Sequence, residues 1–256
     1  MGAQEGTYLA HCHIHPAVYP GHFPVCSVGS MMSNLPYYDK PSVWSSHSIV
    51  ARRLNVLPMQ SKVLDVGTAS GTLARMCQNK SLRLFGVEPN ANWAQIASPL
   101  YERIWACSID DVDEGFLGGY DVVVLGDILE HLPAPEAVLQ KLVGYQPPNS
   151  VFIISVPNVA NLWVRLNLLI GRFEYTDRGI LDRTHLRFFT RKSLTGMIKN
   201  SGLEIISVQT TPIPLELVSG FFVTSPGRLL HALLAWCTSI LPTILGYQFI
   251  VEARKP

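Results

Sequence analysis

Short apolar segments alternate with segments of helical spacing over most of the chain, beginning near Trp44. Each apolar segment is bounded by polar residues or glycine, a pattern that predicts buried strands. The predicted strands are 62–66, 82–87, 103–107, 120–125, 151–156, 203–208 and 246–253. Strands that alternate with helices form parallel sheets covered on both faces. We therefore predict an α/β fold with a doubly wound, mostly parallel sheet of seven strands, whose ligand lies at the carboxyl ends of the strands.

The connection over residues 158–190 interrupts this alternation. It is too long for an ordinary link to the helix predicted over 193–201, so we expect a lid or substrate-binding insertion there. Within it, residues 162–170 are mostly apolar and predict an apolar surface element.

The segment 212–245 is a second departure, because no Asp, Glu, Lys or Arg occurs from 229 to 251. An apolar segment of that length could span a bilayer, but Pro242 and Gly246 interrupt it. Its last residues also belong to the predicted strand 246–253. We predict instead an apolar helix over 226–241. The polar residues near one side of that helix are Arg228, His231, Thr238 and Ser239. Two roles stay open for the helix: packing in the core or in a homodimer, and contact with a membrane surface.

Residues 1–38 differ from the rest of the chain. Glu5 is the only charged residue before Asp39, and four of the eight histidines fall in this stretch. The run His-Cys-His-Ile-His over 11–15 offers zinc or copper ligands. We nevertheless expect residues 1–38 to be a disordered extension and residues 39–256 to form the folded domain.

The composition limits the partners and the compartment. The chain has 20 Lys and Arg against 19 Asp and Glu, a net charge of +1, and only 15% charged residues. It contains no basic run, so a nucleic-acid partner is not expected. Its five cysteines form no CxxC pair. They predict reduced thiols in a cytoplasmic protein.

A glycine-containing turn carries the clearest chemical signal. Asp65-x-Gly67-x-x-x-Gly71 lies between a predicted strand and a helix, where glycine lets a ligand approach the backbone and the free N–H groups of the helix. Glu88 ends the next strand, where a carboxylate can accept hydrogen bonds from two ribose hydroxyls. The turn lacks both the full GxGxxG pattern and the P-loop lysine. A cationic nucleoside without phosphate fits it better than a dinucleotide.

These residues resemble class I S-adenosylmethionine-dependent methyltransferases, which have a Rossmann-like fold. Residues 63–71 match the first motif of that family, with Ala69 in place of a usual glycine. Alanine is tolerated at this position if its φ is negative. The resemblance implies S-adenosylmethionine as cofactor and a set of residues to bind it: Asp65, Gly67, Thr68, Ala69, Gly71, Glu88, Ile109, Asp110 and Asp127.

Two further stretches narrow the resemblance. Residues 120–132 are similar to the fourth-strand motif of ubiquinone-type O-methyltransferases, and residues 171–190 resemble bacterial methyltransferases of surface-polysaccharide and glycan pathways. They imply transfer to a hydroxyl of a small or glycan-like acceptor. The apolar segments 162–170 and 226–241 leave open a lipid-linked acceptor. We expect the protein in the cytoplasm, and a position at the inner face of the membrane also stays open. An N-methylating relative and a non-catalytic cofactor-binding partner protein are the alternatives.

The candidate reacting groups follow the fourth strand. Helical spacing places Asp127, Glu130 and His131 on one face, and His185 of the insertion could fold over them. In one interpretation His131 or His185 is a general base that Glu130 or Asp127 orients. In another, all four bind a divalent metal, and in a third Glu130 and His131 only support the loop. We favour the general base.

Three arginines of the insertion are candidate acceptor ligands. Arg172, Arg183 and Arg187 could bind a phosphate or carboxylate. Ion pairs with neighbouring acidic side chains explain them equally well. Those acidic side chains are Glu174, Asp177 and Asp182.

Overall fold

The computed structural model describes residues 42–256, which form one seven-stranded sheet with helices on both faces. The strands are β1 Lys62–Val66, β2 Arg83–Val87, β3 Arg103–Trp105, β4 Val122–Gly126, β5 Val151–Pro157, β6 Glu204–Thr211 and β7 Gln248–Arg254. The helices are α1 Ser46–Asn55, α2 Thr72–Met76, α3 Ala91–Ala97, α4 Pro135–Tyr145, α5 Leu162–Leu169, α6 Arg191–Asn200, α7 Ser225–Ile240 and α8 Pro242–Leu245.

The strand order is β3-β2-β1-β4-β5-β7-β6, and β7 alone runs opposite to the others. The predicted doubly wound, mostly parallel sheet is confirmed. Because the parallel strands share one direction, β1, β2 and β4 end at the same edge.

The sheet separates two apolar clusters because successive strand residues point to opposite faces. In β1, Leu64 packs with α4 and α6 on one face, whereas Val63 packs with α1 on the other. Both side chains are fully buried. The central strands are therefore apolar on both faces, and their polar groups lie at the ends, where the site forms.

The insertion between β5 and α6 contains α5 and an irregular stretch closed by pairing of Asn158 with Phe189. Asn158 is fully buried, and its amide donates to the carbonyls of Thr243 and Gly246 at 2.9 and 2.8 Å. The base of the insertion is thus tied to the segment that precedes β7.

The helix predicted over 226–241 is present as α7. Of the polar residues near one side of it, His231 and Thr238 are buried and Arg228 is exposed, while Leu229 is 75% exposed. The Thr238 hydroxyl donates to the Leu234 carbonyl at 2.8 Å, which satisfies it inside the fold.

None of the helices in residues 42–256 is both long and apolar enough to cross a membrane. Cys77, Cys107 and Cys237 are free thiols. The predicted extension over 1–38 and the candidate metal ligands over 11–15 lie outside the described residues.

Candidate active site

The turn after β1 has the backbone conformation that its glycines suggest. Gly67 and Gly71 have φ values of +83° and +88°, a region that favours glycine. A Cβ on Gly71 would lie 2.8 Å from Leu100 Cδ1 and 3.2 Å from Ala97 Cβ. Both dihedral angle and packing therefore require glycine where the backbone turns into α2.

Ala69 departs from the expectation of a negative φ, because its φ is +46°. This conformation costs an alanine about 1–2 kcal/mol. It accompanies a hydrogen bond that the turn needs: the Ala69 N–H donates to Glu88 Oε2 at 2.8 Å. The turn is therefore held against the end of β2, at a cost that glycine would avoid.

Glu88 is buried and links two backbone segments. Its Oε2 accepts from Ala69, and its Oε1 accepts from the Asn90 N–H at 2.9 Å. Each carboxylate oxygen has a second lone pair, so the side chain can still accept hydrogen bonds from ribose hydroxyls.

Asp65 lies buried beneath the turn, and Tyr101 Oη donates to its Oδ2 at 2.6 Å. Burial raises the pKa of Asp65 to about 6, the Tyr101 hydrogen bond opposes that rise, and the charge of Glu88 adds to it. Two buried carboxylates side by side favour a cationic ligand. The residues thus fit a sulfonium cofactor such as S-adenosylmethionine, and Tyr101 is a site residue that the sequence reasoning missed.

Three further residues that the resemblance assigns to the cofactor, Thr68, Ile109 and Asp110, lie in the turns that follow β1 and β3. Thr68 is buried in the turn, and Ile109 is buried in a short helical turn after β3. Asp110, in that helical turn, is exposed. Its N–H is capped by the Ser108 hydroxyl at 3.4 Å.

Asp127 directly follows β4 and has a φ of +54°. Ser155 Oγ donates to its Oδ1 at 2.6 Å, and Gln248 Nε2 and Ser46 Oγ donate to its Oδ2 at 2.9 and 3.3 Å. Residues from β5, β7 and α1 thus orient this carboxylate. The sequence offered no signal for Gln248, which lies 121 residues away along the chain.

Glu130, His131 and His185 come together beyond the end of β4. Potential ligand atoms of these three residues lie within 4.8 Å of one another, and the two imidazole rings are 4.9 Å apart. The Glu130 carbonyl accepts hydrogen bonds from the N–H groups of Leu186 and Arg187, which hold the insertion in place. Asp127, the fourth residue of the predicted metal group, is not part of this cluster.

Both imidazoles have one ring nitrogen directed at a carbonyl. His131 Nδ1 is 3.2 Å from the Thr184 carbonyl, and His185 Nδ1 is 3.1 Å from the Ile180 carbonyl. A carbonyl only accepts, so Nδ1 carries the proton and Nε2 can act as a base. Burial lowers the pKa of His185, and the neighbouring His131 lowers it further.

The three arginines of the insertion have separate environments. Arg183 pairs with Asp177 at 2.7 Å, and both side chains are mostly exposed. The Arg187 guanidinium donates to the Pro133 carbonyl, and Arg172 is exposed. Ion pairing thus accounts for Arg183, and a loop contact accounts for Arg187.

Aromatic side chains line the insertion next to His185. Phe188 lies 6.3 Å from the His185 ring and packs against Phe173 and Tyr175 at 5.9 and 6.4 Å.

Tyr247 packs with the apolar residues of the insertion. Burial raises the pKa of Tyr247 to about 12, and the charges of Asp127 and Asp182 contribute. Tyr247 is a second residue near the site that the sequence reasoning missed.

A family model described as a methyltransferase domain matches residues 43–208, more than half of the chain. The chain belongs to the methyltransferase-domain family. It is a class I S-adenosylmethionine-dependent methyltransferase, as the turn and Glu88 indicated.

The methyltransferase is similar to curated ubiquinone biosynthesis O-methyltransferases. It is 33% identical to that of Pectobacterium atrosepticum over 134 residues, which cover 48% of this chain and 53% of the relative. It is 28% identical to that of Escherichia coli O157:H7 over 167 residues, which cover 61% and 68%. The matched region thus spans about half to two thirds of the relatives' length.

Solved structures share the fold of the methyltransferase. An S-adenosylmethionine-dependent methyltransferase from Archaeoglobus fulgidus has a TM-score of 0.53 at 16% identity, covering 82% of this chain and 94% of its own. Magnesium protoporphyrin IX methyltransferase from Synechocystis PCC 6803, with bound S-adenosylhomocysteine, has a TM-score of 0.55 at 15% identity and covers 83% of each chain.

Proposed function

We propose that this methyltransferase methylates a hydroxyl group of a small or glycan-like acceptor that is linked to a lipid. The observation that carries the proposal is the pair of imidazoles at the end of β4, each with Nδ1 on a backbone carbonyl. With the proton on Nδ1, each Nε2 can accept the proton that a hydroxyl loses on methylation. The similarity to ubiquinone biosynthesis O-methyltransferases supports an oxygen acceptor.

The residues divide into two groups with different tasks. The turn over 67–71 and Glu88 would hold S-adenosylmethionine, which supplies an activated methyl group for in-line displacement. His131 or His185 accepts the hydroxyl proton at Nε2, and the Glu130 carboxylate beside them stabilises the imidazolium that results. Phe173, Tyr175 and Phe188 would exclude water from the acceptor side.

The test replaces both imidazoles. We expect His131→Ala with His185→Ala to lower turnover about 10²–10⁴-fold, because the proton acceptor is lost, while the affinity for S-adenosylmethionine stays within about twofold. Radiolabelled methyl transfer to catechol and to methyl glycosides measures turnover, and product analysis identifies the methyl ethers. Full activity of the double variant would rule out the general base.

A metal-assisted reaction is the second candidate, supported by the closeness of Glu130, His131 and His185. Two imidazoles and a carboxylate suit a divalent ion, which would make the acceptor hydroxyl more acidic. Treatment with a chelator distinguishes the candidates. Loss of turnover that Mg²⁺ or Mn²⁺ restores favours the metal, whereas unchanged turnover favours the base.

The exposed apolar side chains of α5 and α7 support a lipid-linked acceptor. Trp163 and Leu169 of α5 are 52% and 82% exposed, and Leu229 and Trp236 of α7 are 75% and 61% exposed. Leucine with tryptophan on a helix surface is typical of contact with the interface of a membrane. This proposal places the methyltransferase at the membrane surface, with its acceptor delivered from the lipid.

Vesicles of phosphatidylethanolamine and phosphatidylglycerol test this contact by cosedimentation. We expect the unmodified protein to bind these vesicles. The double variant Leu229→Gln with Trp236→Gln should bind them about tenfold more weakly, because the burial of two large apolar side chains is lost. Absence of vesicle binding together with a homodimer in analytical ultracentrifugation would show that the apolar faces cover each other instead.

A further inference from the structure

Helix α7 buries polar side chains and exposes apolar ones. Its three buried residues are Gly227, His231 and Thr238, while Leu229 and Trp236 lie on its exposed side. A helix that packs only for stability normally buries its apolar stripe. The Thr238 hydroxyl is bonded within the helix. The histidine on the inner face therefore needs its own explanation.

His231 forms a buried pair with Glu216 of the short helical turn Leu215–Leu217. His231 Nδ1 lies 3.1 Å from Glu216 Oε2, and the two side chains are 6% and 9% exposed. The two groups are within ion-pair distance, but within residues 42–256 neither Glu216 carboxylate oxygen has a hydrogen-bond partner. Within residues 42–256, His231 Nε2 has no hydrogen-bond partner. An unsatisfied buried nitrogen costs free energy, which a hydrogen bond to a ligand hydroxyl would recover.

His231 also lines a narrow cavity. Its wall includes Trp44, Thr211, Tyr247 and Gln248, and its volume of about 10 Å³ admits a group the size of one water molecule. Trp44 is 37% exposed, so an aromatic surface continues from the cavity to the solvent. A single hydroxyl fits inside, and the ring that carries it would lie against Trp44.

The cavity adjoins the catalytic region. Gln248 of its wall donates to Asp127 at the end of β4. Tyr247 of its wall reaches the insertion, since a Cβ on Gly179 would lie 3.0 Å from Tyr247 Oη. A molecule that fills the cavity is therefore next to the edge of the sheet where acceptor and cofactor must meet.

We propose that His231, oriented by Glu216, binds a ring hydroxyl of the acceptor, and that Trp44 and Tyr247 contact the ring. This site rests on the proposed O-methylation and gives it a specificity-determining residue. His231 acts on a hydroxyl other than the one that is methylated, so it selects acceptors with at least two hydroxyl groups. A phenolic ring and a sugar ring share this chemistry.

Nitrogen NMR of the full chain labelled with ¹⁵N-histidine tests the site directly. His231→Phe assigns the resonance, and the protein is saturated with S-adenosylhomocysteine. We expect the His231 Nε2 resonance to shift on titration with catechol or with methyl α-glucoside. A response to catechol indicates a phenolic acceptor, and a response to the glucoside indicates a sugar. No response to either probe overturns the proposal.

Steady-state kinetics provide the second test, on whichever probe is turned over. We expect His231→Phe to raise KM for the acceptor about tenfold, the effect of one lost hydrogen bond, with kcat and cofactor affinity within about twofold. Thr238→Val, a buried polar residue of the same helix outside the cavity, is the matched control and should leave KM unchanged. Glu216→Gln retains the volume and should raise KM less.

These results separate failure of this site from failure of the proposed function. Full activity of the His131 and His185 double variant contradicts the general base, but a shift of His231 Nε2 would still support the hydroxyl site. Conversely, an unchanged KM in His231→Phe overturns the site while the loss of activity in the double variant supports the base.

Discussion

The cofactor side and the proposed acceptor side of this methyltransferase are built in opposite ways. On the cofactor side, comprising residues 65–71, Glu88 and Tyr101, buried carboxylates accept hydrogen bonds from nearby backbone and side-chain groups. On the acceptor side, comprising residues 158–190 and α7, leucine and tryptophan face outward while histidines are buried. The cofactor side is therefore preorganised by the chain itself, whereas the proposed acceptor side exposes apolar side chains.

The largest expected effect is on the cofactor side. Gly71→Ala should destabilise the fold by about 3 kcal/mol, because a positive φ costs about 1–2 kcal/mol and overpacking against Leu100 and Ala97 adds about 1–3 kcal/mol. Gly202→Ala is the matched control: its φ is +86°, but nothing lies within 4 Å of its Cβ. Chemical denaturation measures both. Equal losses would show that packing around the turn has no part in the cost.

Protonation of Asp65 is expected to have the next largest effect. Its pKa of about 6 means that the side chain loses its negative charge as the pH falls through that value. Affinity for cationic S-adenosylmethionine should therefore be retained above pH 6 and fall about tenfold by pH 5, as isothermal titration calorimetry can measure.

Two variants serve as controls for this pH dependence. Asp65→Asn should remove it, because no charge is left to titrate. Tyr101→Phe removes the hydrogen bond that lowers the pKa of Asp65, so the midpoint should move to higher pH. An unchanged midpoint in Tyr101→Phe would mean that another group controls cofactor affinity.

A smaller change is expected at Ala69. Ala69→Gly should stabilise the protein by about 1 kcal/mol, because glycine adopts the φ of +46° without steric cost. Thermal unfolding with and without S-adenosylhomocysteine measures the gain. A loss of stability would show that the flexibility of glycine in the unfolded chain outweighs the strain of alanine.

The smallest effect on stability is expected on the acceptor side. Leu169→Gln should change the free energy of unfolding by less than about 0.5 kcal/mol, because Leu169 is 82% exposed. Val164→Ala in the same helix should cost about 2 kcal/mol, because Val164 is fully buried. If both variants were equally destabilised, the apolar surface of α5 would contribute to the fold and the contrast between the two sides would fail.

The same contrast explains how far the sequence could be interpreted. The strands, the turn and Glu88 follow from local pattern, because an apolar run, a glycine and a strand end are neighbours in the chain. The supports of the site do not: Tyr101 lies 36 residues from Asp65, and Gln248 lies 121 residues from Asp127. The burial of His231 could not be predicted either, since its neighbour Glu216 belongs to a separate turn.

The reversed strand β7 has a consequence for how the protein is synthesised. It lies between β5 and β6, although it follows both along the chain. Until it emerges from the ribosome, β6 has no neighbour in the sheet and β5 has an open edge, which invites pairing with other chains. Nascent chains should therefore be most prone to aggregate in the interval when the apolar α7 has been translated and β7 has not.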